Sequence, residues 1–392
     1  MLFHMKALLR AGSDGRVSVP PKSDFLSNKR QTMSNKITVQ VERLKGGMPI
    51  LAPDVEWWER EGATNPGAIY LANTPDNAQL IDGLLGKGAA RDPRTADGIV
   101  AAIFTKGGCC LAVFTPQCDL LKWFAEPLIQ PTGNSKDVDC AGTGDARVCR
   151  IGDTFYMLYS SWDGHAAYCC LAYSRDLIHW ERQGKMPGNI NVYQNKDHVL
   201  FEQQVEGWHY CLHRPWNFPF EQKDYAIRLA RSRSPMGPWQ DCGTIMRAFQ
   251  HPRGAITWLG AGSVPLPLGG KRFLMIYHKG TIFEGGWRQY DGCAAILDFD
   301  RFSLDRPEDI VHARLESFLV PETRFEKNPK PNLRIDIVFP GGSYFFGEDI
   351  YIIYGAGDMY GCAARVNKNA LIEAIERSGL KNPDQDQLPD FY

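Results

Sequence analysis

The residues able to do chemistry here are polar groups set among glycines and apolar runs. Asp145 and Arg147 lie in Gly142-Thr143-Gly144-Asp145-Ala146-Arg147-Val148, ahead of a strand-like run. A carboxylate whose pKa is raised by burial can act as a general acid. An exposed turn aspartate paired with its arginine fits the same residues equally well. Asn195-Lys196-Asp197-His198 and Leu212-His213-Arg214-Pro215 border apolar runs. Lysine, arginine and histidine together can bind an oxyanion; ion pairing at strand ends is the plainer reading. Trp258, in Trp258-Leu259-Gly260-Ala261-Gly262, offers a flat ring for a sugar face, with a core tryptophan as its competitor. Asp358 follows the glycine-rich kink Tyr354-Gly355-Ala356-Gly357, where backbone can approach a ligand. Asn65, in Asn65-Pro66-Gly67-Ala68, is either a presented amide or part of a turn.

The elements that must position these groups recur along the chain. Apolar, β-branched and aromatic runs between Gly/Asp turns are strand signals. Paired runs begin near Asp97, Gly152, Gly207, Lys271 and Gly347, and most are followed by a polar segment that contains tryptophan. Five such hairpin-centred units at roughly 50–75-residue spacing are a propeller-type repeat. The expected fold is all-β, a five-bladed β-propeller, with a two-sheet sandwich as the structural alternative. A propeller gathers the first strands of its blades at a central channel, so residues far apart in sequence would meet there. Helical periodicity is confined to Asn367–Ser378, where Leu371, Ile372 and Ile375 share a stripe. Residues 1–36 read as a flexible tail with a short basic-apolar start, and organelle targeting is the competing reading. Residues 37–392 read as one catalytic domain.

Composition narrows the function classes. The 392 residues carry 44 Lys+Arg against 45 Asp+Glu, a net charge of −1. That lacks the electrostatic footprint of nucleic-acid binding. No apolar run approaches the ~20 residues of a membrane span. The 11 cysteines are odd in number and form no CxxC, so a zinc site is not expected. The pairs Cys109-Cys110 and Cys169-Cys170 sit beside apolar runs, where adjacent strand residues point to opposite faces. They read as small apolar fillers of a protein kept in a reducing, cytoplasmic compartment.

Taken in order, these segments resemble glycoside hydrolase family 130, the β-mannoside phosphorylases and β-1,2-mannosidases. The resemblance runs through Asn65–Ala68, Asp145–Arg147, Phe155–Gly164, Ser174–Trp180, Asn195–Phe201, Leu212–Pro215, Trp258–Gly262, Tyr277–Gly280 and Tyr354–Asp358, with Val338–Gly342 in addition. No single motif is specific, but the ordered series is. The family fold is a five-bladed propeller. The resemblance implies that Asp145 is the catalytic acid and that Arg214, His278 and Lys196 surround phosphate. It also implies that Asn65, Arg147, Asp197, His213, Tyr290 and Asp358 grip the sugar. Phosphate would attack the anomeric carbon with inversion, so no second carboxylate is needed; a hydrolase requires a base to activate water.

Two departures bear on the site. Trp258 stands where the family has a phosphate-binding lysine, and Thr105-Lys106 where it has an arginine. The expected activity is reversible phosphorolysis of β-linked, chiefly β-1,2, mannooligosaccharides to mannose 1-phosphate. Inorganic phosphate is then a co-substrate, with no cofactor and no metal. The expected partners are the oligosaccharide, phosphate and mannose 1-phosphate, not nucleic acid or membrane, and self-association is left open. The alternatives are a β-1,2-mannosidase, a mannosyltransferase-phosphorylase using a nucleotide sugar, and a non-catalytic sugar-binding propeller.

Overall fold

Antiparallel hairpins dominate the chain, as the Gly/Asp-bounded apolar runs require. The computed structural model describes residues 38–53, 62–192, 194–215, 226–249, 254–329 and 334–383. The expectations for residues 1–36 lie outside the described residues.

A short strand, β1 (Val41–Arg43), precedes the first sheet. That sheet contains β2 (Thr64–Leu71), β3 (Ile99–Thr105), β4 (Cys109–Phe114) and β5 (Leu120–Trp123). The second contains β6 (Gly142–Ile151), β7 (Thr154–Trp162), β8 (Ala167–Ser174) and β9 (Glu181–Lys185). The third contains β10 (Asn195–Leu200), β11 (His209–Pro215), β12 (Ile227–Ser232) and β13 (Gln240–Met246). Each is a four-stranded meander in sequence order among the described residues.

The remaining strands form one nine-stranded sheet. They are β14 (Gly254–Ala261), β15 (Leu266–Gly269), β16 (Arg272–Phe283), β17 (Arg288–Asp298), β18 (Val311–Leu319), β19 (Ile335–Phe346), β20 (Asp349–Ala356) and β21 (Tyr360–Asn367), joined by β1. A parallel pairing of Arg288–Tyr290 with Ile335–Ile337 fuses two antiparallel groups into this sheet. β1 pairs with β21, placing Val41 opposite Val366. Strand β2 packs on β6, β6 on β10, β10 on β14, and β19 packs back on β2.

The cores lie between neighbouring sheets, and the cysteine pairs show this. Cys109 packs with Leu71, Ile81 and Tyr159, whereas Cys110 packs with Ala68, Phe104 and Tyr344 on the other face. Cys170 joins the first of these clusters, and Cys169 joins Leu158, Met186 and Trp239. Burial pushes the Cys109 thiol up to about 12, so it is an inert filler rather than a nucleophile.

The C-terminal helix expected from Asn367 to Ser378 forms over Lys368–Ser378. The first helix, α1 (Pro75–Leu85), was not anticipated. Asn77, Asp82 and Gly83 weaken its helical pattern, but Pro75 suits its first turn. Its Ile81 and Leu84 are fully buried. Helix α2 spans Lys368–Ser378, capped by Asn367 through the Ala370 amide. Among the described residues no helix is long and apolar enough to cross a membrane.

Candidate active site

Three polar residues are positioned by one repeated backbone device. Strand β2 breaks register with β3 between Thr64 and Gly67, β6 with β7 between Gly144 and Arg147, and β10 with β11 between Lys196 and Val199. Inside these breaks Asn65, Asp145 and Asp197 adopt φ of 53°, 50° and 54°. Asparagine and aspartate tolerate this left-handed region better than other side chains bearing a Cβ. Such bulges re-aim side chains out of the regular alternation. A turn ahead of a strand was the expectation for Asp145 and one of two readings for Asn65; both lie inside strands. The Gly-rich local sequence signals the bulge as readily as a turn.

The bulges bring separate sheets together. Asn65 Nδ2 donates to Asp145 Oδ1 at 2.7 Å, and the Asp145 amide donates to Thr105 Oγ1 at 2.9 Å. Arg214 Nε donates to Asp197 Oδ2 at 2.6 Å, and His278 Nε2 lies 3.5 Å from the same oxygen. Burial alone would raise the Asp197 carboxyl; Arg214, His278 and Lys196 outweigh it and hold the group well below the usual carboxylate range. Asp197 is therefore an ionised anchor for cations.

Lys196 faces Arg214 across β10 and β11 and is buried. Burial pushes its ammonium below the ordinary value, while the charges of Asp145, Asp197 and Asp358 pull it back. Arg147 is also buried, with its guanidinium carbon 5.6 Å from the Phe339 ring. It donates to the Gly262 carbonyl, and to that of Ala146 at 3.0 Å. Its Nη2 has no hydrogen-bond partner among the described residues.

His278 packs on Phe339 with ring centroids 4.2 Å apart and the planes tilted by 32°. Burial lowers its imidazole, Asp197 raises it, and Arg214 and Arg147 lower it again; the net direction is down. The neutral ring is favoured, so His278 can offer an oxyanion an N–H rather than a full charge. Strand β16 continues past His278 to Phe283.

Glycines clear the space around these groups. A Cβ on Gly260 would lie 2.2 Å from Asp197 Oδ2 and 2.3 Å from His278 Nε2. A Cβ on Gly355 would lie 2.3 Å from Asn65 Oδ1. Gly260→Ala must therefore displace Asp197 or His278. Turnover should fall at least ~100-fold, since a misplacement of about 1 Å in a site can cost that much. Steady-state kinetics on folded Gly260→Ala protein check this, and activity near that of the unsubstituted protein would contradict the geometry.

Trp258 lies two residues before Gly260, on the same face of β14. Its indole covers Gly280, where a Cβ would come within 2.3 Å of the ring. It meets Tyr290 edge to face at 5.4 Å, and Tyr290 in turn lies 5.9 Å from His278. An aromatic wall thus borders the cation cluster. Asp358 sits in the turn after β20 with φ of 58°, and its charge acts on Lys196 and Tyr290.

His213 is the exception. Its Nδ1 lies 3.0 Å from Asn195 Nδ2 and its Nε2 3.6 Å from Asp241 Oδ1, all within its own sheet. The fully buried ring supports the strand bearing Arg214 and has its polar partners within that sheet. Phe339, Thr105, Gly260 and Gly355 lie in segments the sequence had marked, but without these roles; Thr64, just before Asn65, lay outside every motif.

A family model described as β-1,4-mannooligosaccharide phosphorylase matches residues 119–377, more than half of the chain. The chain belongs to glycoside hydrolase family 130. The β-1,2-mannobiose phosphorylase of Listeria innocua serovar 6a is 28% identical over 229 residues, which cover 58% of this chain and 59% of that protein. The 1,2-β-oligomannan phosphorylase of Thermoanaerobacter sp. strain X514 is 28% identical over 236 residues, covering 57% and 68% respectively. The chain thus aligns with about three-fifths of the Listeria relative's length.

Solved structures extend the likeness in fold. The Listeria innocua β-1,2-mannobiose phosphorylase, in complex with β-1,2-mannobiose, superposes with a TM-score of 0.58 at 20% identity, over 86% of this chain and 99% of that one. A Bacteroides ovatus protein described as a glycoside hydrolase gives a TM-score of 0.62 at 18% identity, over 86% and 99%. The nucleotide-sugar mannosyltransferase expectation gains no support, because the matching family model is that of a phosphorylase.

Proposed function

We propose that this site performs inverting phosphorolysis of a β-linked mannooligosaccharide, with inorganic phosphate as co-substrate and mannose 1-phosphate as product. The observation that carries the reading is the pairing of one hydrogen-bonded carboxylate, Asp145, with a nearby cluster of Arg214, Lys196, Arg147 and His278. Asp197 is engaged by Arg214 and His278, so it is ill placed to act as a base on water. Arg214, Lys196 and Arg147 gather three basic side chains around Asp197, which suits an anionic nucleophile.

In the proposed step the bond between the anomeric carbon and the glycosidic oxygen breaks. The proton of Asp145 passes to the departing oxygen, directly or through a sugar hydroxyl. A phosphate oxygen forms the new bond from the opposite face of the sugar. The ionised Asp145 regains a proton from the incoming phosphate or solvent, so the cycle balances. Asn65, Arg147, Tyr290, Trp258 and Asp358 are proposed to hold the sugar. The aromatic wall offers the ring stacking, and the polar groups the hydroxyl contacts.

We also infer a five-bladed propeller for residues 37–392. Three four-stranded sheets, the two fused antiparallel groups and the packing of β2 on β6, β6 on β10, β10 on β14, β16 on β19 and β19 on β2 support that architecture. The curated relatives favour the β-1,2 linkage over the β-1,4 linkage of the family description.

The test incubates the protein with β-1,2- and β-1,4-mannobiose, each with and without phosphate, and separates mannose 1-phosphate from mannose. Mannose 1-phosphate formed only with phosphate, and mainly from the β-1,2 disaccharide, is the expected result. Free mannose in all tubes would replace the reading with hydrolysis. Trp258, in place of a cationic side chain, is the feature that would favour that outcome.

A further inference from the structure

We infer that Thr64 and Thr105 are positioning residues that fix which oxygen of Asp145 delivers the proton; the inference rests on Asp145 being the acid of the proposed reaction. The two threonines are cross-strand partners on β2 and β3. Thr64 Oγ1 donates to Asn65 Oδ1 at 2.9 Å, and Asn65 Nδ2 donates to Asp145 Oδ1 at 2.7 Å. The Asp145 amide donates to Thr105 Oγ1 at 2.9 Å. A ring of groups therefore starts and ends on one threonine pair and holds the acid's side chain and backbone from a neighbouring sheet.

The direction of donation matters. An asparagine amide has one accepting and one donating end. With the Thr64 hydroxyl satisfying its oxygen, the NH2 group faces Asp145. Asp145 Oδ1 is thereby kept an acceptor, and the proton belongs on Oδ2, which receives no hydrogen bond among the described residues. Thr105 acts on the other side of the residue. Its hydroxyl holds the backbone amide at the bulge where Asp145 has φ of 50°. A Cβ on Gly144 would meet the Thr105 side chain at 2.7 Å, so the threonine also fits closely beneath the bulge. Thr64 is nearly buried at 9% exposure and touches Asn65, so it acts on the acid through that residue.

Two measurements test this. In β-1,2-mannobiose phosphorolysis, Thr64→Val should lower kcat at least ~10-fold with KM for both substrates nearly unchanged, since orientation and not binding is lost. Thr64→Ser, which keeps the hydroxyl, should restore most of kcat. Thr105→Val and Thr105→Ser should behave as a second such pair, which keeps the test open if one valine variant folds poorly. Unchanged kcat in a folded valine variant, or a loss confined to KM, would overturn the inference.

The second measurement is neutron diffraction on the deuterated, substrate-free protein. It should place the Thr64 deuteron on Asn65 Oδ1, the Asn65 ND2 on Asp145 Oδ1, and the acid's deuteron at low pD on Oδ2. A flipped amide, or a deuteron on Oδ1, would overturn the inference. This readout is independent of turnover. Wild-type protein inert in phosphorolysis would sink the proposed function, while the neutron map would still decide the hydrogen-bond directions.

Discussion

Asp145→Asn is expected to lower turnover by ~10²–10⁴, the usual contribution of a positioned acid, while leaving sugar binding largely intact. The amide nearly matches the carboxylate in shape and can still accept from Asn65 through Oδ1, so the link between β2 and β6 survives. It cannot supply the proton that the departing oxygen requires. The informative measurements are kcat for mannose 1-phosphate release and mannobiose affinity by calorimetry on the same preparation. Asp145→Asn protein retaining more than about a tenth of wild-type kcat would move the acid elsewhere in the site, since even the low end of a general acid's contribution is larger.

Asp197→Asn has the largest expected effect on stability. The carboxylate is 3% exposed and joined to Arg214, whose side chain is 11% exposed. Removing one partner of a buried pair costs about 3–5 kcal/mol, because the remaining charge is left uncompensated. Thermal unfolding should therefore shift clearly downward in phosphate-free buffer. Added phosphate should recover part of the loss by giving Arg214 an anion to hold.

The pH dependence has a definite sign. Asp197 is held well below the ordinary aspartate value of about 3.9 in the folded protein. Its contribution is present in full above that value and lost as pH falls through the lower folded value. The gap between wild type and Asp197→Asn should stay constant above about pH 4 and narrow in stronger acid. A gap that widened on acidification would show that the carboxylate is not ionised in the folded state.

Much of this site was legible because its residues sit in short ordered motifs. Asp145, Lys196, Asp197 and Arg214 lie in segments singled out by residue type beside glycines and apolar runs, and His278 entered through the family resemblance. Their backbone setting was not legible. A left-handed residue within a bulge carries the same Gly, Asn and Asp signals as a turn, and only the pairing of β6 with β7 distinguishes the two.

The polar partners of His213 were not legible either, for a related reason. Its neighbour Arg214 points to the site, and strand alternation sends His213 into its own sheet toward Asn195 and Asp241. Helix α1 failed because a polar sequence containing Gly83 forms a helix only when tertiary burial of Ile81 and Leu84 compensates for weak propensity. The paired cysteines were readable from strand alternation alone, since each pair divides between two cores.

The pairing of β1 with β21 also constrains how the chain can be made. Val41 is synthesised early, yet its partner Val366 arrives only after nearly all the other strands. Arg43 then locks against Glu326 at 2.8 Å and Glu322 at 2.6 Å, residues that also come late. The first sheets can pair as they emerge, but the last cannot gain its outer strand until translation has passed that strand's partner. The early segment must wait unpaired through most of synthesis, and this contact of very long sequence separation belongs to the closing stage of folding.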